Sequence, residues 1–252
     1  MAGFSVVIIT KNEAANIQAC LEPLLPLSDD VLVIDSGSTD GTRKIARNLG
    51  ARVLETQWQG YAATKNWGNA QANYPWILSI DADEVLSEDL VQSLQNWQPQ
   101  PETVFFLDRI TNYCGTWVHH SGWYPDWKPR LFNRNEVHWR GEYVHETLTW
   151  PDSFQTEKLA GKLLHYSYRT QQDHWDRMER YAQLSAQELF SRGKKPTWVK
   201  RHLSPAFRFF RTWVIKQGWR DGRTGWTISR RNAYLVRRRY QLLQQLYREG
   251  HS

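Results

Sequence analysis

The chain has 252 residues, 40% of them hydrophobic and 23% charged, which suits one α/β domain with an appended tail and excludes two full-sized enzymes. Two distant cysteines, Cys20 and Cys114, make neither a disulfide framework nor a zinc site and point to a reducing compartment. The net charge of +6 is segregated: from residue 194 onward 15 Lys and Arg face only Asp221 and Glu249, a net of +13 that leaves residues 1–193 at −7. Such a tail fits an anionic partner, whether lipid headgroups, an anionic glycolipid or nucleic acid.

The N-terminus runs straight into an apolar, β-branched segment with no secretory n-region or cleavage site, so no signal peptide is expected. No stretch reaches the roughly 18 apolar residues of a membrane span. A cytoplasmic protein, peripheral on the inner face of a membrane, is the expectation.

Residues 5–10, 31–34, 51–54 and 76–80 read as strands, and 13–24, 39–49 and 61–73 as helices between them. This order predicts a Rossmann-like, mostly parallel sheet flanked by helices, with ligands at the carboxyl ends of the strands. Past Pro99, strands over 104–110, 130–132 and 137–139 surround an aromatic loop, 113–127, and complete a mixed sheet. A helix over 171–191 follows, and Pro196 marks the boundary between a catalytic domain, 1–193, and a basic helical tail, 194–252.

Chemistry concentrates after the strands. Asp81 and Asp83 form a D-x-D at the end of an apolar run, where period two aims both carboxylates to one side. Carboxylates there suit a divalent cation, Mg²⁺ or Mn²⁺, that would neutralise a departing nucleotide diphosphate. Asp35 ends the second strand and leads into Gly37, Ser38 and Thr39; its carboxylate suits a base or ribose, while Ser38 or Thr39 caps the helix and Asp40 shapes the turn. Thr10, Asn12 and Glu13 follow the first strand, with helix capping as the alternative role for Asn12. Lys65 and Asn66 lie in the third helix, where Lys65 could aim one cation at the diphosphate.

Together and in this order, these segments resemble glycosyltransferase family 2, whose GT-A fold presents D-x-G-S-x-D-x-T and then D-x-D; the likeness covers roughly residues 4–170. It implies that Thr10, Glu13 and Asp35 contact the nucleoside, Lys65 the phosphates, Asp81 the ribose or metal, and Asp83 the metal. Asn12, Ser38 and Asn66 are placed with the nucleotide-sugar site. The family more often has arginine at the position of Lys65, which keeps the charge but not the bidentate fork. Thr111–Trp117, Gly122–Asp126, Arg130–Phe132, Gly141–Glu146 and residues 205–222 resemble lipopolysaccharide-core glucosyltransferases. The implied reaction is inverting transfer of a hexose from a UDP-sugar to a glycolipid, with capsule or another surface glycan as the alternative product.

Inversion needs a base for the acceptor hydroxyl, and two carboxylates compete. Glu146 follows the D-x-D at the family's usual distance; Asp126 sits in the aromatic loop. Salt bridges to Arg140, or to Lys128 and Arg130, are their structural alternatives. His165, in an apolar segment, is either a core histidine or a third metal ligand after Asp81 and Asp83. Trp117, Trp123 and Tyr124 could stack on acceptor sugars, with core packing as the alternative, and Arg130 is placed with them. In the tail, Leu235, Val236, Leu242, Leu243 and Leu246 read as an apolar stripe beside Arg230, Arg231, Arg237 and Arg238, facing either an anionic membrane interface or the second subunit of a homodimer. A nucleotidyltransferase would need a glycine-rich loop after the first strand, and a nucleic-acid module would leave the D-x-D crevice unexplained, so no nucleic acid is expected.

Overall fold

The computed structural model describes residues 3–141 and 146–249. They form two compact units, interleaved in sequence: Met1–Arg109 with Asp126–His165, and Ile110–Pro125 with Tyr166–Ser252.

In the first unit, β1 (Ser5–Thr10), β2 (Val31–Asp35), β3 (Arg52–Glu55) and β4 (Trp76–Asp81) pair in parallel in the order β3-β2-β1-β4. The sheet continues through β8 (Asp126–Asn133), β6 (Thr103–Tyr113), β11 (Gln155–Tyr168) and β5 (Glu84–Leu86) with antiparallel pairings, β4 to β8, β8 to β6 and β11 to β5; the last residues of β6, from Ile110, and of β11, from Tyr166, are counted with the second unit. This is the mixed sheet of a GT-A-like fold, but the expected mostly parallel pairing holds only for β3-β2-β1-β4: these pairings beyond β4 are antiparallel, because the chain returns there through hairpin-like connections rather than through crossover helices. Successive side chains feed opposite faces: Val6, Ile8, Val31, Val33 and Leu78 enter one apolar core, and Val7, Leu32, Ile34 and Ile77 the other. Strands buried on both faces must be apolar throughout, which is why β1, β2 and β4 read so plainly. Helix α3 (Tyr61–Ala70) seats on the second face at Gly68, where a Cβ would come within 2.8 Å of Ile34 and 2.9 Å of Val7.

Helix α1 (Ile17–Leu21) is much shorter than the expected 13–24. The backbone N–H groups of Asn12, Glu13 and Ala14 donate instead to the side chains of Ser38, Thr42 and Asp40, at 2.8, 2.8 and 3.1 Å. Helix α2 (Thr42–Asn48) also starts late, because Asp40 Oδ1 accepts from Thr42 N at 3.0 Å. Strands β5 and β11 and helix α4 (Glu88–Gln95), capped by Ser87, were not expected. A separate pair, β9 (His138–Arg140) with β10 (Thr147–Thr149), holds Trp139 against the second core.

In the second unit, α5 (Gln171–Ser191) has the expected bounds, started by a capping box between Thr170 and Asp173. The expected aromatic loop is partly strand: β7 (Thr116–Val118) pairs with the end of β6. Helix α6 (Trp198–Phe210), a π-helical turn (Arg211–Ile215) and a 3₁₀ turn (Gly218–Asp221) lead into α7 (Gly222–Glu249). The tail corrects one expectation. Val236 and Leu243 are buried where α7 packs on α5 and α6, and Arg238 and Arg231 pin α7 to Glu179 and to Gln171 and Tyr113. The apolar stripe of α7 is therefore a helix-packing face, because the helices beside it supply the partner that a membrane would otherwise supply.

Asp221 organises this unit. Its carboxylate accepts from the backbone N–H of His119 and His120, both at 3.1 Å, and from the Ser121 hydroxyl at 2.7 Å. Asp221→Ala leaves these donors without their acceptor and is expected to cost about 1–3 kcal/mol. Hydrogen exchange at residues 119–121 should accelerate; unchanged protection there would refute the role.

Candidate active site

Parallel register sets Thr10 beside Asp35 and Ile9 beside Asp81, so the loops after β1, β2 and β4 share one edge, where open sheets of this type take ligands. The first two loops are zipped together: Ser38 Oγ accepts from Asn12 N at 2.8 Å and Asn12 Oδ1 accepts from Thr39 N at 2.8 Å, with Asn12 held at φ 58°. Asp35 is fully buried; its Oδ1 accepts from the N–H groups of Gly37 and Ser38 at 3.1 and 3.0 Å, and the Ser38 hydroxyl donates to Oδ2. Arg43 Nε lies 3.7 Å from Asp35. Glu13 accepts from the Asn16 amide at 2.6 Å. The hydroxyls of Thr10 and Ser36, at the ends of β1 and β2, are buried with no hydrogen-bond partner among the described residues.

Beside this edge, Lys65 is buried with its ammonium 3.1 Å from Asp81, 3.4 Å from Glu146 and 4.4 Å from the centre of the Trp139 ring. Asn66 spends both ends of its amide on the Trp139 backbone, donating at 2.8 Å and accepting at 2.9 Å, which fixes α3 to β9. On the other side of Asp81, buried Arg130 reaches Asp81 at 2.6 Å and Glu84 at 2.5 Å; Arg109 joins Glu84 at 3.3 Å and Asp126 at 2.7 Å, and Lys128 closes on Asp126 at 3.0 Å. Eight side chains thus alternate in sign, Glu146–Lys65–Asp81–Arg130–Glu84–Arg109–Asp126–Lys128, with the two candidate bases second from one end and at the other. Burial would raise the Asp81 pKa, but Arg130 and then Lys65 outweigh it and hold the carboxyl well below the usual range. Asp126 is likewise lowered, Arg109 and Lys128 overcoming burial.

The two carboxylates of the D-x-D are partnered differently. Asp83, in the turn before β5, lies with Oδ2 3.3 Å from His165 Nε2, brought there by the β5–β11 pairing that sets His165 opposite Glu84. No group of three His, Cys, Asp or Glu arranged for a metal occurs among the described residues. An O and N donor pair suits a transition-metal ion such as Mn²⁺, which accepts imidazole beside carboxylate and water, better than Mg²⁺, whose ligands are oxygens. Cys20, 3.7 Å from the Asp81 carbonyl, reports the local field: burial, then Glu84, Asp83, Asp81 and Glu13, push its thiol well above the ordinary value.

Arg130, expected at the acceptor, is 3% exposed and occupied by Asp81 and Glu84. In the second unit, Trp123 stacks on Tyr168 at 5.6 Å and packs against the Tyr113–Val118–Ile228 core, while Trp117 meets Tyr166 at 5.4 Å and Tyr124 meets His119 at 6.0 Å. Of the expected Gly141–Glu146 motif, residues 142–145 lie outside the described residues. Sequence reasoning assigned no role to Glu84, Arg109 or Trp139. A charge inside the apolar run 104–110 was the available signal, since a buried cation demands a partner.

The model of the family described as "Glycosyl transferase family 2" matches residues 5–151. An uncharacterized glycosyltransferase of Rickettsia bellii is 30% identical over 247 residues, 89% of this chain and 80% of the relative. The lipopolysaccharide core biosynthesis glycosyltransferase LpsC of Rhizobium meliloti is 28% identical over 235 residues, 88% of this chain and 84% of its own length. Glucosyl-3-phosphoglycerate synthase from Mycobacterium tuberculosis, solved with Mn²⁺ and UDP-glucose, superposes with a TM-score of 0.36 at 24% identity over 44% of each chain, too distant a likeness to carry an argument. With a family match over more than half its length and a relative at 30% identity along most of both chains, this protein belongs to glycosyltransferase family 2.

Proposed function

We propose that the chain moves a hexose, as an inverting, metal-assisted transferase, from a UDP-sugar to a lipid-linked glycan such as the inner core of lipopolysaccharide. The observation that carries this reading is the meeting of Lys65 with Asp81 and Glu146 beside the carboxyl ends of β1, β2 and β4. Lys65 is a buried cation within reach of a diphosphate bound at that edge, and its two carboxylates are the groups such an anion would displace. The hydroxyls of Thr10 and Ser36, without a partner among the described residues, support a polar ligand at the same edge, because a buried hydroxyl left unpaired costs about 1–3 kcal/mol that a ligand would recover. Asp35, Asn12 and Ser38 act by holding the nucleoside-facing loops, and Glu13 completes that wall.

Asp83 and His165, with Asp81 once it leaves its cations, would hold a divalent ion, which would supply positive charge to the departing diphosphate. Glu146 accepts the proton of the acceptor hydroxyl as the new C–O bond forms and the anomeric bond to the diphosphate breaks on the opposite face. Trp117, Trp123 and Tyr124 are the proposed acceptor aromatics. The LpsC relationship supports the lipopolysaccharide assignment.

Calorimetry with a panel of nucleotide sugars, with and without Mn²⁺, tests the reading. One donor should bind only with metal, and Asp83→Ala should weaken it by at least about 10–100-fold. Absence of donor binding under both conditions would overturn the proposal.

A further inference from the structure

Among the described residues, exposed large apolar side chains concentrate on α6 and the π-helical turn after it. Val199, Leu203, Phe207 and Phe210 recur at helical spacing on one face and are 54%, 54%, 60% and 49% exposed. Val214 and Ile215 extend the stripe at 46% and 56%, and Trp198 and Trp219, at 69% and 57%, flank its ends. The opposite face of the same segment is used: Phe209, Trp213 and Trp226 form an aromatic cluster with centroids 5.1 to 6.4 Å apart that binds α6 to α7. Internal packing therefore engages Trp213 and Trp226, the latter still 44% exposed, and leaves an apolar strip outside.

The surrounding charge selects the occupant. Between Glu188 and Asp221 the sequence contains nine Lys and Arg and no acidic residue. Lys200 and Arg211 border the strip on the helix, and both are exposed, as are Lys194 and Lys195 before its N-terminal end and Lys216 beyond it. A face with large aliphatic and aromatic side chains in its centre, indoles at its ends and cations at its rim matches a bilayer interface, where the apolar groups enter the acyl boundary and the cations meet phosphates. A second copy meeting this face with the same face would bring its own nine cations to the contact, with no acids there to meet them. We propose that the α6 face docks the protein on an anionic phospholipid bilayer by shallow insertion of Leu203, Phe207 and Phe210, with Lys200 and Arg211 binding headgroup phosphates. This assigns membrane contact to α6 rather than to α7, and it stands independently of the transfer reaction.

The test uses the full chain and vesicles free of glycolipid and nucleotide sugar, so its outcome is separate from that of donor binding. The protein should co-sediment with vesicles of equal parts phosphatidylcholine and phosphatidylglycerol and much less with phosphatidylcholine alone, and Trp fluorescence should shift to the blue on binding. Leu203→Ser with Phe207→Ser should reduce the vesicle partition coefficient by about tenfold or more, since two large side chains lose their insertion. Both are exposed, so the thermal melt should be unchanged. Lys200→Gln with Arg211→Gln should weaken binding to anionic vesicles only. Equal binding by the Ser variant, or no binding to anionic vesicles by the native chain, would overturn the proposal. So would sedimentation of the lipid-free native chain as a dimer that the Ser variant dissociates, which would give the face to a second copy.

Discussion

Glu146→Gln is expected to lower turnover by about 10²–10⁴-fold, the range for loss of a general base, while donor affinity changes by less than about tenfold. Glutamine keeps the shape and can still accept from Lys65, so the 3.4 Å contact survives in kind while proton acceptance does not. The rival substitution separates the candidates. Asp126 is gripped by Arg109 at 2.7 Å and Lys128 at 3.0 Å, which hold its carboxyl below the usual range and make it a weak base. Asp126→Asn should therefore alter turnover by less than about tenfold while lowering the melting temperature. Single-turnover rates with saturating donor would read the difference, and a collapse of rate in Asp126→Asn alone would transfer the role to that residue.

Arg130→Met is expected to be strongly destabilising to the first unit. Arg130 lies between Asp81 and Glu84, so its removal leaves two carboxylates at a buried site with one fewer cation. Breaking a buried pair in this way costs about 3–5 kcal/mol, which for a chain of this size lowers the melting temperature by about 6–20 °C. The pH dependence has a definite sign. In the native chain Asp81 titrates below its unfolded value of about 3.9, so its contribution is complete above that value and is lost as the pH falls through it toward the lower folded pKa. In Arg130→Met, Asp81 keeps only Lys65 against the cost of burial and gains from protonation, so the deficit should narrow as the pH is lowered from about 7 toward about 5. A deficit independent of pH would mean that packing, not charge, is what Arg130 supplies.

Much of the first unit was legible because burial on both faces leaves an uninterrupted apolar run, and β1 falls on the expected residues. Helix α5 was equally plain from its own spacing. What stayed hidden was set by partners remote in sequence. The expected first helix lost its opening turn to side chains 26 to 29 residues away. Strand β5 has three residues, too few for a period to appear, and β11 is half polar. The site was legible in its residue types and not in its pairings: Lys65 is separated from Glu146 by 81 residues and Arg130 from Glu84 by 46, and only the strand order brings them together. The tail shows the same limit. Two helices carry apolar periods, and the sequence does not say which of them the other covers.

The second unit is assembled from a segment in mid-chain and the C-terminal helices, and this has a consequence during synthesis. Tyr113, 3% exposed in the finished protein, bonds Arg231 across 118 residues, and the His119 amide waits 102 residues for Asp221. At about 5–20 residues per second the ribosome needs roughly 6–24 s to supply that arginine after the tyrosine. For that interval the aromatic segment has no helices to bury it, and the nascent chain must be shielded from its neighbours until the last of them emerges.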